Sequence, residues 1–169
     1  MGKGRSKTLE RGLETLGVQA GLSLAAARAL AAVGATVIVA GFAVDRQLLS
    51  SIQDAPALVW LATDAGLAAV TIHSGAQRTD DGSRPLADAT LVPWGDVAGI
   101  DLTADVAEEA AGVVTTLTLS IGHPATRALC AATPTDKIGY RDLQALIREV
   151  MRRTKLAGRT GVPGTAIAV

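Results

Sequence analysis

Two histidines, one cysteine, two tryptophans and a few clustered acids are the residues in this 169-residue chain with the means to do chemistry. His73 and His123 stand far apart, and neither has a second His, Cys or carboxylate at ligand spacing, so the pattern predicts no metal centre. Cys130 is the lone cysteine; it excludes an intrachain disulfide, and its neighbours Leu129 and Ala131 make it read as a buried, inert thiol. Asp80-Asp81-Gly82 lacks the later ligands of a calcium loop and reads as a turn. Trp60 and Trp94 could line a pocket, but with Phe42 and Tyr140 they are all the aromatic residues the chain has, which makes them packing anchors first. There is no P-loop, nucleophile elbow or zinc-finger spacing. The expectation is a protein with no catalytic residue, metal, cofactor or small-molecule substrate: not an enzyme.

Charge narrows the partners. Sixteen basic and sixteen acidic side chains cancel, which gives no ground for nucleic acid binding, and so few aromatics leave no base-stacking surface. The charges are unevenly placed. Lys3, Arg5, Lys7 and Arg11 make a basic start, and Arg148, Arg152, Arg153, Lys155 and Arg159 a basic end, around an acidic belt from Asp80 to Glu109. Arg148, Arg152, Arg153 and Lys155 are the candidate contacts for an anion or a membrane. The single cysteine favours a reducing compartment, hence a cytoplasmic location with membrane association left open.

Residues 1–7 are Gly-rich and basic and are expected to be loose. From Thr8, the residues Leu9, Leu13, Leu16, Ala20, Ser23, Ala27 and Leu30 recur at spacings of four and three, the stripe of one helix. Gly17 and Gly21 add a GxxxG spacing, so Leu13, Leu16, Gly17, Ala20, Gly21, Ala27 and Leu30 form a candidate helix-packing face. The apolar run from Val18 to Val44 holds one charge, Arg28. It is long enough for a membrane span, yet Gly34 placed as a helix end and the β-branched Thr36 to Val39 favour a helix followed by a buried strand over 35–40.

The rest reads as a sheet. Ala57–Thr63 and Leu67–His73 form a hairpin about Asp64-Ala65-Gly66, Thr90–Val92 is a short strand ending at Pro93, and Trp94–Leu102 is the next. Val113–Ile121 alternates most clearly, Leu129–Thr133 is a last short strand, and Asp105–Gly112 is a loop or one helical turn. Tyr140–Lys155 is an amphipathic helix with Leu143, Leu146, Ile147, Val150 and Met151 on one face, and 157–169 an extended tail.

Two resemblances bear on function. The run from Gly17 to Gly41 is similar to the opening of short-chain dehydrogenases, but Ser23 replaces the third glycine, no buried strand precedes it, and Tyr140 has Gln144 where the family's lysine would stand. Ala/Gly composition explains that likeness; it leaves a small α/β nucleotide-binding protein as an alternative. Thr63-Asp64-Ala65-Gly66-Leu67 and Leu91-Val92-Pro93-Trp94-Gly95-Asp96-Val97 resemble phrases of bacterial PH-like domains, over about 57–155. That resemblance implies an α+β fold: an antiparallel barrel or sandwich capped by the C-terminal helix, here with an added Ala/Gly-rich N-terminal helix, and a binding or scaffolding role for protein or lipid partners.

The expected organisation is therefore a basic, apolar helical segment over 1–55, a PH-like domain over 56–156 and a tail over 157–169. The expected function is a noncatalytic interaction module, joined through residues 9–44 to itself, to a larger complex or to a membrane. A structural subunit of a large assembly is a further alternative.

Overall fold

The computed structural model describes residues 3–44, 56–73, 87–107, 112–121, 125–132 and 136–154, with 3–6 and the strand residues between 98 and 131 described as backbone. Two N-terminal helices, α1 (Lys3–Thr15) and α2 (Ala20–Ala32), come first. Seven strands follow: β1 (Ile38–Ala43), β2 (Ala57–Thr63), β3 (Gly66–Ile72), β4 (Ala87–Pro93), β5 (Val97–Ala107), β6 (Gly112–Ile121) and β7 (Ala125–Ala132). Helix α3 (Lys137–Arg153) closes the described chain. The strands form two antiparallel sheets, β1-β2-β3-β4 and β5-β6-β7, which makes the fold α+β; among the described residues the sheets are separate and do not close into a barrel, one of the expected forms.

The single N-terminal helix expected from the stripe is broken in two, and the cause is Gly17. It takes φ 96°, a left-handed conformation that costs glycine nothing. The Val18 N–H then reaches back to the Leu13 carbonyl at 3.1 Å and the Gly17 N–H to Glu14 at 2.9 Å, which satisfies the last carbonyls of α1. Gly34, also at φ 96°, ends α2 the same way, with Ala35 N–H on the Leu30 carbonyl at 3.0 Å. Residues 3–7, expected to be loose, are the first turns of α1.

Both faces of the four-stranded sheet are covered. On one, Leu9, Leu13, Ala26, Ala27 and Leu30 of the two helices pack with Val59, Leu61, Ala68 and Val70. On the other, Leu143, Leu146, Ile147 and Val150 of α3 pack with Phe42, Trp60, Ala62 and Leu67, and with Val97 and Ala132 at the ends of β5 and β7. This explains why β2 is almost continuously buried although its residues point alternately to opposite sides. A bulge at Val39 places Ile38 with the first core and Ala40 with the second.

Residues 1–55 are thus no appendage: β1 pairs with β2, and α1 and α2 share a core with β2 and β3. The boundary drawn at 55/56 divides one sheet and one core. The run from Val18 to Val44 is a 13-residue helix and a strand, and no helix among the described residues is long and apolar enough to cross a membrane. Other expectations shift by a few residues. The expected strand from Trp94 opens instead with a 3-10 turn, Trp94–Asp96, and β5 extends through Ala107, into the expected loop. The last strand begins at Ala125, not Leu129. The connection 45–54, the loop 74–86, Lys155 and the tail lie outside the described residues.

This packing predicts the outcome of removing residues 1–55. A chain begun at residue 56 loses β1 and uncovers Val59, Leu61, Ala68 and Val70, so it should aggregate or stay unfolded, with no cooperative thermal transition by circular dichroism. A folded, monomeric product would show that the helices and β1 are dispensable to the core.

Candidate functional site

The two phrases that carry the PH-like resemblance meet at one corner of the molecule. Between β2 and β3 the chain turns through Thr63, Asp64, Ala65 and Gly66, and Thr63 is fully buried. Its hydroxyl donates to the Gly66 carbonyl at 2.7 Å and accepts from the N–H groups of Ala65 and Gly66 at 3.2 and 3.1 Å. A hydroxyl used as donor and acceptor at once closes the turn from within. Gly66 is required there for a second reason: a Cβ on it would lie 2.2 Å from the Val92 carbonyl oxygen of β4.

Asp64 faces outward from this turn and holds the connection between α2 and β1. Its carboxylate accepts from the backbone N–H groups of Thr36 and Val37 at 2.8 and 3.0 Å and from the Thr36 hydroxyl. The Asp64 N–H returns a bond to the Val37 carbonyl at 3.1 Å. Burial pushes the Asp64 carboxyl up, but the bonds from Thr36 and Val37, with its own backbone N–H, outweigh it and hold the pKa below the ordinary carboxylate value.

From the other side Trp94 donates its indole N–H to the Thr63 carbonyl at 3.1 Å. The Arg153 guanidinium lies 6.0 Å from the centre of the Trp94 ring and reaches the Asp64 carbonyl at 3.5 Å. Glu149 receives Arg152 at 2.6 Å and Arg153 at 2.7 Å. Hydrogen bonding from Arg152, opposed by burial and reinforced by Arg153, lowers Glu149 from 4.5 to about 2. The corner is therefore a clasp: the α2–β1 connection, the β2–β3 turn, the β4–β5 corner and the end of α3 all tie to four consecutive residues. Its cations are paired with Glu149, and the Asp64 carboxylate is held by neutral donors.

The expected site residues are placed as follows. Leu13, Ala27 and Leu30 are buried in the protein's own core, Leu16 is half-buried over Gly41, and Gly17, Ala20 and Gly21 are exposed. The packing face expected of one helix is split between two, and its larger members already cover the sheet. Gly17 lies between two helices, with no strand before it and antiparallel pairing throughout the described sheets, so it forms no dinucleotide-binding turn. Arg148 and Arg152 are exposed on α3, whereas Arg153 is turned inward to the clasp; Lys155 lies outside the described residues. Trp60 is a core anchor, as expected, 5% exposed. His73 ends β3 and meets Asp88 of β4 at 3.0 Å. The side chains of His123 and Cys130 lie outside the described residues.

No group of three or more metal-ligating side chains forms among the described residues. An open groove of about 460 Å³ runs along Lys7, Thr8, Glu10, Arg11 and Glu14 of α1, where two cations and two anions alternate and offer no net charge to a ligand. Comparison with protein-family models, with curated proteins and with solved structures finds no match to this chain.

Two outcomes follow from the clasp. Replacing Trp94 with Phe keeps an aromatic side chain but removes the indole N–H and part of the ring; it should cost at least about 1 kcal/mol in chemical denaturation, the part due to the lost hydrogen bond. The pH dependence has a fixed sign. Asp64 and Glu149 both have folded pKa values below their unfolded ones, so their stabilisation is complete above the unfolded values and drains away as pH falls through the folded ones. For Glu149 that window runs from 4.5 down to about 2. Thermal melts across it should show a shallower acid decline in Glu149→Gln than in the parent chain, and the same direction in Asp64→Asn.

Proposed function

We propose that this chain is a noncatalytic interaction module of PH-like architecture that acts by holding a partner. The observation that carries the reading is the order of its parts: four antiparallel strands, a sharp corner at Trp94, three antiparallel strands, then an amphipathic helix whose apolar face fills the space beside both sheets. The two phrases similar to PH-like domains support it further, because they contact each other through Trp94 and Thr63 instead of lying apart. In this reading the clasp is scaffold, and the partner meets an outer surface.

Residues 9–44 supply one such surface. Helix α2 is apolar apart from Ser23 and Arg28. With Ser23, Ala26, Ala27 and Leu30 buried, its outer side presents Ala20, Gly21, Leu24, Arg28 and Ala31 to solvent. A helix apolar on both sides gains from a second surface against it, either another copy of the chain or a subunit of a larger assembly. The test is sedimentation of the full chain over a range of concentrations, beside Leu24→Glu. Association that Leu24→Glu reduces supports the reading. A parent chain monomeric at every concentration removes self-association, and association that Leu24→Glu leaves unchanged moves the contact away from α2.

A further inference from the structure

Helix α3 spends its apolar side on the core, which leaves its outer side to be explained. Lys137, Arg141, Arg148 and Arg152 are all exposed. At 3.6 residues per turn their positions fall within an arc of about 60°, along a line of about 22 Å. The acids of the helix lie off that line. Asp142 and Glu149 are 16% and 11% exposed, and Glu149 is held by Arg152 and Arg153. Among the described residues the ion pairs of this line are Arg141 to Asp142 at 3.4 Å and Arg152 to Glu149, while Arg148 makes a 3.4 Å bond to the Gln144 carbonyl.

An overall neutral chain thus concentrates cations on one straight edge. Two apolar side chains flank that edge, Met151 on one side and Ile138 on the other, each half exposed. Guanidinium and ammonium groups along one line, with an apolar side chain on either flank, match the surface of an anionic bilayer: the cations meet lipid phosphates and carboxylates, and the flanking apolar pair lies against the headgroup layer. An acidic peptide would be better held by a groove or a free strand edge than by the convex side of a helix.

We infer that the outer side of α3 is a peripheral docking surface for anionic lipid bilayers. It sets Arg148 and Arg152 together with Lys137 and Arg141, and leaves out Arg153, which the clasp holds. The inference rests on α3 alone and stands apart from the PH-like reading, so either can fail without the other.

The experiment is co-sedimentation of the full chain with phosphatidylcholine vesicles, with and without phosphatidylserine, at ionic strengths of about 0.1 M and about 1 M, between which the Debye length falls from ~10 to ~3 Å. Binding is expected only with phosphatidylserine and only at the lower salt. Arg141→Gln with Arg148→Gln, at exposed positions outside the core, should weaken it about 25-fold, taking roughly fivefold for each cation near the surface. Lys7→Gln with Arg11→Gln, on α1, should change it less than twofold, about the effect of charges away from the contact. Circular dichroism of both variants separates loss of binding from loss of fold. Equal binding to neutral vesicles overturns the inference, as does no binding to either kind, or binding that the α1 pair weakens and the α3 pair does not. Capture of soluble polyglutamate without vesicle binding would assign the strip to an acidic polypeptide instead.

Discussion

A sheet with two apolar faces cannot stand with either in water, and this constraint organises the chain. In β2, Val59 and Leu61 point one way and Trp60 and Ala62 the other, all at or below 5% exposure. Each face therefore needs a cover, and the chain supplies α1 and α2 before the sheet and α3 after it. Because few side chains are large, the covers must come close. Gly12 lets α1 approach Ile38, where a Cβ would lie 3.1 Å from its Cδ1, and Gly41 leaves room for Leu16, whose Cδ1 would be 2.4 Å from a Cβ there. Close approach of small residues replaces the contact area that aromatics usually provide.

Layers held by nondirectional packing can still slide, and the clasp limits that freedom. Thr63 shapes its turn from within, Asp64 fixes the start of β1, and Trp94 and Arg153 bring the sheet corner and α3 to the same point. These contacts are directional, so they set register where apolar burial sets only proximity. A carboxylate that accepts two backbone N–H groups and a hydroxyl from a connection 28 residues away acts as a cap for a strand that has no helix dipole to help it.

What was legible in the sequence follows from which signals are local. β2 was read to the residue and β3, β6 and α3 within about three, since each rests on a run of periodic residues and adjacent turn chemistry. The division of the first helix was missed because Gly17 falls in step with the apolar stripe, and periodicity cannot tell a helical glycine from a terminating one. Val18, an apolar residue directly after it, was the available signal. The membership of β1 in the sheet was missed for a different reason: it depends on pairing with β2 across residues 45–56, and no local pattern encodes a partner. The same holds for the clasp. Asp64 was legible as a turn residue, but its bonds to Thr36 and Val37 link positions that only the fold brings together.

The burial of three helices on one sheet also decides where recognition can occur. Once Leu9, Leu13 and Leu30 are inside, an N-terminal tether cannot use them, and the outer sides of the helices are what remains exposed. Those sides differ in kind. The outer side of α2 is small and nearly uncharged, whereas that of α3 is cationic along its length. The inner positions of each helix form the shared cores, while an outer one such as Arg152 still ties, through Glu149, to the clasp.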